Sequence, residues 1–178
     1  MSRAEEEREP TATQDRVVTV AVLVVAAPGT SLGAAQVLVD RCAALGHQVL
    51  KRLHLPPDRE AIEAQLRAWV AEESIDIVLV AGAIGLTSQD VTPEAVRAVI
   101  ERELPGFGET VRRAHEARVG LRAIHGRELA GVSRGTLIFA ISSERQACIG
   151  AWDAVLGPLL DPSAEASLVP LLPELVVA

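Results

Sequence analysis

Between Ala81 and Thr92 the chain reads Gly82-Ala83-Ile84-Gly85-Leu86-Thr87-Ser88-Gln89-Asp90, placing glycines, hydroxyls and one carboxylate in a single short stretch. Glycine lets backbone N–H groups approach a bound anion, and a carboxylate close behind can hold Mg²⁺. The apolar run Ile77 to Ala81 precedes the stretch and Thr92-Pro93-Glu94 follows it, so it leaves a buried strand and enters a helix, as a phosphate-binding loop does. Many strand-to-helix turns use glycine only to shape the backbone, and both readings stay open on pattern alone. Asp90 likewise reads either as a metal ligand or as a carboxylate favoured by a helix start.

Other polar residues offer less. Ser142-Ser143-Glu144 opens a helix, where Ser143 can cap and Glu144 would repel a phosphate. Arg112 and Arg127 suit either phosphate contact or surface ion pairs. His47, His54, His115 and His125 show no metal-ligand spacing. Cys42 and Cys148 stand far apart without a C-x-x-C pattern, so they read as free thiols, with Cys148 a small buried hydrophobe.

The elements around these residues follow from periodicity. Val17 to Ala26, interrupted by Thr19, is valine-rich and suits a central parallel strand. Val37, Leu38, Cys42 and Leu45 recur at helical spacing before Gly46, a C-cap residue, and His47 to Leu55 is the next strand. Ile62, Leu66, Trp69 and Val70 mark a second helix, and Ile77 to Ala81 a third strand. Such alternation signals right-handed parallel crossovers, whose ligands bind at the strands' C-terminal ends.

Farther on, Thr92 is expected to cap a helix with Pro93 at its first position, and another helix is expected over Gly108 to Arg118. Thr136 to Ile141 reads as a strand after the turn at Arg134-Gly135, with Leu129 to Val132 its hairpin partner. Cys148, Trp152, Val155 and Leu159 form the stripe of a last helix, and from Pro162 an extended tail is expected.

Composition bounds the rest. The 178 residues fit one domain, and 49% apolar against 23% charged content supports a buried core. The formal net charge of −7 argues against nucleic acid as a partner. Residues 1–15 carry Glu and Arg with no apolar run behind them, which reads as a solvated arm rather than a secretory signal. No apolar run approaches the roughly 20 residues that cross a membrane, and a cytoplasmic protein is expected.

Gly85-Leu86-Thr87, Asp90 and Thr92-Pro93-Glu94-Ala95 resemble the G-G-T-G-L-T-x-x-D-x-T-P-E-A loop of the MoaB/MogA molybdopterin-binding family. Gly106-Phe107-Gly108-Glu109 with Arg112, then Val119-Gly120, Arg127, Ala130-Gly131-Val132, Thr136 to Ala140 and Ala147-Cys148 continue the resemblance in the family's order. It extends from Val17 to about Leu160, and the domain is assigned to 16–161 with a Pro-containing apolar tail over 162–178.

The resemblance implies a three-layer α/β/α domain with a mostly parallel sheet, assembled as a homo-oligomer, trimer or hexamer. It implies molybdopterin as substrate or ligand, with ATP and Mg²⁺ for its adenylylation. Gly82, Gly85, Thr87, Ser142 and Ser143 would then hold the pterin and phosphate, with Asp90 as metal ligand and Asp90 and Glu109 as catalytic residues. The chain also departs from the pattern. Ala83 and Ile84 stand where the family has its second glycine and threonine, Ser142-Ser143-Glu144 where it has Pro-Gly-Ser, and His115 and Gly126 where related motifs have serines. The first loop is shortened to Pro28-Gly29-Thr30-Ser31-Leu32-Gly33. These departures open a second reading, a non-catalytic oligomeric binding or regulatory module on the same scaffold.

Overall fold

The computed structural model describes residues 16–30 and 33–175. The expected arm over 1–15 and part of the shortened first loop lie outside them. Valine-rich β1 (Thr19–Val25) lies between β2 (Gln48–Leu55) and β3 (Ile77–Ala81), and the six-strand order is β2-β1-β3-β6-β5-β4. Strands β2, β1, β3 and β6 (Thr136–Ile141) run parallel. β5 (Leu129–Ser133) is antiparallel both to β6, through the expected hairpin, and to the two-residue β4 (Arg102–Glu103), which the periodicity does not show.

Side chains alternate across the sheet and so feed two cores. Val20, Val22, Val24, Ile77, Leu79, Leu137 and Phe139 pack on one face against α1 (Gly33–Ala44), α4 (Pro105–Val119) and the C-terminal helices. Ala21, Leu23, Val78, Val80 and Ile138 pack on the other against α2 (Arg59–Val70) and α3 (Thr92–Arg97). Each buried Leu, Ile or Val contributes about 1.5–3 kcal/mol. The result is the expected three-layer α/β/α arrangement with a mostly parallel sheet.

Several local expectations change. Thr92 does not cap α3: it is the first helical residue, Pro93 is the second, and the Thr92 hydroxyl is buried without a partner. Helix α4 starts at Pro105 rather than Gly108, since proline tolerates a first helical turn. In the last helix, α5 (Arg145–Ala151) passes through a π turn at Trp152–Leu156 into α6 (Gly157–Leu160). Pro158 has no N–H to give, and the Gly157 N–H reaches back to the Trp152 carbonyl. The wider turn shifts the apolar stripe, so that Leu156 and Leu160 are fully buried and Leu159 only partly. The tail is not extended throughout: Val169–Glu174 forms a 3₁₀ helix and buries Val169 and Leu172 on the first core.

Candidate functional site

The chain leaves β1 through α1 on one face of the sheet and returns to β3 through α2 on the other. The crossovers therefore diverge between β1 and β3, and a crevice opens at the C-terminal ends of these strands. The loops following β1, β3 and β6 meet there. Gly82 makes the approach possible. It sits at φ 112°, and a Cβ on it would strike the Val25 carbonyl oxygen and lie 3.1 Å from Ser143 Oγ. Gly82 and Ser143, both among the ligand-holding residues that the resemblance implies, are thus neighbours.

Ala83 follows in the left-handed region at φ 51°, the position where the resemblance predicts glycine. A side chain there costs about 1–2 kcal/mol. Ile84 turns the other way: only 6% exposed, it packs into the second core. A threonine hydroxyl pointing the same way would meet apolar surroundings rather than the crevice.

Gly85, Thr87 and Asp90 come together. Asp90 Oδ2 accepts from the Thr87 N–H at 2.8 Å and from Thr87 Oγ1 at 2.6 Å, and a Cβ on Gly85 would lie 2.8 Å from the same oxygen. Partial burial pushes the Asp90 carboxyl up, but hydrogen bonds from Thr87 and Gly85 and the charge of Arg127 outweigh it and hold it below the ordinary aspartate range. Arg127 is bound around this loop. Its Nε donates to the Gly85 carbonyl at 2.6 Å, its Nη2 to the Asp90 carbonyl at 2.5 Å, and its Nη1 to the Glu94 carboxylate. The hydrogen bond from Arg127 is also the main cause that lowers the Glu94 carboxyl.

Glu109 is not part of this cluster. It lines a cavity of about 370 Å³ with Arg112, Gly126, Arg127 and Glu128, and none of residues 82–91 forms its wall. Arg127 is the residue common to that cavity and the Asp90 loop. A larger cavity, about 620 Å³, opens at the opposite edge of the sheet beside Arg16, Asp76 and Thr136, where strands begin rather than end. Volume alone therefore does not locate the site.

The loop after β6 also departs from expectation. Ser143 does not cap α5; Glu144 does, its carboxylate accepting from the Gln146 N–H at 3.0 Å and the Ala147 N–H at 2.7 Å. Ser142 Oγ in turn accepts from the Glu144 N–H at 3.1 Å. The start of this helical segment therefore already holds an anion, and a phosphate there would meet a carboxylate.

The serine replacements at His115 and Gly126 prove to be linked. The Glu128 carboxylate is buried beside Gly126, where a Cβ would lie 2.5 and 2.6 Å from its oxygens, and His115 Nδ1 is 3.5 Å from Glu128 Oε1. His115 Nε2 donates to the Ala147 carbonyl at 2.9 Å, which ties α4 to α5. The hydrogen bond to Glu128 is the main cause raising the His115 pKa above the ordinary histidine value, so the ring is favoured in its charged form. His115 and Glu128 are far apart in the chain and no local pattern joins them. Nor does periodicity single out Asp58, which caps α2 at the same edge of the sheet and accepts from the Ala61 N–H.

Among the described residues no group of three or more His, Cys, Asp or Glu side chains could hold a metal ion. Asp90 would supply a single carboxylate to a metal, which fits Mg²⁺ only in its common mode of binding through one or two carboxylates and substrate phosphates. Cys42 and Cys148 are buried and unpaired, and burial pushes both thiols up to about 12. No helix among the described residues is long and apolar enough to cross a membrane.

A doubly wound α/β domain with glycine-shaped loops at its switch point defines the class. The model of the family described as "Probable molybdopterin binding domain" matches residues 16–162, and the chain belongs to that family. Molybdenum cofactor biosynthesis protein B of Escherichia coli (strain K12) is 38% identical over 124 residues, 70% of this chain and 73% of that protein. The crystal structure of the molybdopterin biosynthesis enzyme MoaB from Thermus thermophilus superposes with a TM-score of 0.74 at 29% identity, covering 81% of this chain and 92% of that one. A molybdopterin biosynthesis protein from Mycobacterium abscessus gives 0.76 at 26% identity, covering 90% and 97%.

Proposed function

We propose that this protein binds molybdopterin in molybdenum cofactor biosynthesis, in the crevice between residues 82–91 and 142–144. The observation that carries this reading is the Gly85-Thr87-Asp90 cluster at the sheet's switch point, in a chain whose family and relatives are named for this cofactor. Gly82 and Gly85 keep the crevice floor open, and Thr87, Ser142 and Ser143 supply hydroxyls beside it.

The finer reading is adenylylation. A molybdopterin phosphate oxygen forms a bond to the α-phosphorus of ATP, the α–β bond breaks, and pyrophosphate leaves. Mg²⁺, held by Asp90 and the substrate phosphates, would neutralise charge during this transfer. The chain's own contribution is to hold the Asp90 carboxylate ionised and fixed through Thr87, Gly85 and Arg127. Glu109, with Arg112, faces the neighbouring cavity and is assigned to orienting substrate rather than to sharing Asp90's metal.

The second reading, a non-catalytic module, is favoured by Glu144, whose carboxylate fills the start of α5. Titration with molybdopterin, followed by addition of Mg-ATP, separates the two. Binding with pyrophosphate release supports adenylylation, binding without it supports a non-catalytic module that keeps the ligand, and absence of binding removes molybdopterin as ligand and leaves a module with an eroded pocket.

We further propose a homo-oligomer, trimer or hexamer, in the cytoplasm. Val119, Leu121 and Ile124 are 52%, 76% and 68% exposed on and beside one 3₁₀ turn, an apolar group that a second copy would cover. Buried free thiols suit a reducing compartment.

A further inference from the structure

We infer that Arg127 is the positioning residue of the site: its guanidinium fork holds the two ends of the Gly85–Asp90 loop at fixed separation and so sets where the Asp90 carboxylate stands. The assignment rests on the proposed ligand site but on independent geometry. Arg127 donates from Nε to the Gly85 carbonyl at 2.6 Å and from Nη2 to the Asp90 carbonyl at 2.5 Å, and its own backbone N–H donates to the Ile84 carbonyl at 2.9 Å. The loop is thus bound at residues 84, 85 and 90 by a single residue 37 positions beyond Asp90.

The remaining side of the guanidinium is engaged by Glu94, on the first turn of α3. This pairing fixes the plane of the fork, since a planar group with donors to both carbonyls and to a carboxylate has little rotational freedom left. Inside the loop, the Thr87 N–H and hydroxyl bind Asp90 Oδ2, while the Asp90 N–H returns to the Thr87 carbonyl at 3.0 Å. These internal bonds close a turn but do not anchor it to the sheet. Arg127, two residues before β5, supplies that anchor.

Arg127 is therefore a poor candidate for direct phosphate contact, because four of its five N–H donors are engaged by the Gly85 and Asp90 carbonyls and the Glu94 carboxylate. The available guanidinium is Arg112, which lines the adjoining cavity with Glu109 and makes no hydrogen bond or ion pair among the described residues. Lysine could not replace Arg127 fully. One ammonium keeps the charge but cannot span two carbonyls and a carboxylate in a single plane.

The test is amide hydrogen exchange on the full chain, resolved to the 85–90 segment and to β3 as an internal reference. Arg127→Gln is expected to speed exchange at Thr87 and Asp90 at least tenfold while Val78 to Val80 keep their protection, and Arg127→Lys to recover part of the difference. Should the glutamine variant not fold, Arg127→Lys carries the same comparison, with faster loop exchange expected against wild type. Unchanged loop exchange, or loop and β3 exchange rising together, would overturn the assignment. In parallel, molybdopterin titration is expected to show at least tenfold weaker binding to Arg127→Gln, and equal affinity would also count against it. If the wild-type protein itself binds no molybdopterin, the functional reading fails while the exchange comparison still decides the positioning role.

Discussion

Because Thr87 donates to Asp90 through both its amide and its hydroxyl, the carboxylate's charge and its position have a common origin. Asparagine at 90 keeps the size and an acceptor oxygen but removes the anion. If the site adenylylates molybdopterin, Asp90→Asn should lower turnover by about a hundredfold, the scale of losing one electrostatic partner, with little change in thermal unfolding. Unchanged turnover with retained Mg²⁺ dependence would reject Asp90 as the metal ligand. Ala83 makes an opposite case. Its left-handed backbone gains nothing from the methyl group, so Ala83→Gly should stabilise the fold by about 1 kcal/mol, the relief of left-handed strain less glycine's extra unfolded-state freedom. Urea unfolding measures it, and a less stable variant would mean that the methyl's partial packing outweighs the strain.

Helix α5 and its neighbours show how whole elements bear on the site. Glu144 accepts from two N–H groups at the start of α5, and its truncation in Glu144→Ala should destabilise the protein by about 0.5–2 kcal/mol, as for other lost caps. The same variant should bind molybdopterin more tightly, because backbone donors are released and a negative charge is removed; equal affinity would show that the ligand's phosphate lies elsewhere. The contact between α4 and α5 gives a pH prediction. With its folded pKa raised, His115 contributes stability fully present below the unfolded value of about 6.5 and lost as pH rises through the folded pKa. Unfolding at pH 6 and pH 9 should show this loss, and His115→Gln should abolish it; an equal pH slope in the variant would assign it to other groups. Every strand but the two-residue β4, together with α1 and α2, is legible in the sequence because apolar runs and helical spacing are local. The Glu128 partner of His115, the fourfold use of Arg127 and the Glu144 cap are not, since each depends on residues that only folding brings together or on a choice between adjacent cap residues. The π turn lies between these cases: Pro158 is visible, but its effect on the stripe depends on how the helix accommodates the missing N–H.

At the scale of the molecule, β1, β3, β5 and β6 are buried on both faces whereas β2 leaves Leu50 and Leu53 exposed, and the exposed apolar side chains are therefore informative. β2 is an edge strand, but the register irregularity between Val20 and Ala21, with Lys51 and Arg52 on the strand, discourages pairing through it. The 3₁₀ turn after α4 carries Arg122 and His125 but sets strongly exposed apolar side chains beside them. Leu121 and Ile124 project from it beside Val119, while the buried His115–Glu128 pair and Ala123 fix the base of this region. An apolar group held on a firm base is suited to meet its own copy, and closed symmetry would satisfy every copy equally. Charge on this turn should oppose association without touching either core. Leu121→Glu combined with Ile124→Glu is therefore expected to leave the circular dichroism spectrum unchanged and reduce the mass in solution from an oligomer to a monomer. Light scattering over a wide concentration range measures it. A wild-type monomer would remove the oligomer altogether, whereas an unchanged oligomeric mass in the double variant would move the interface to another face of the domain.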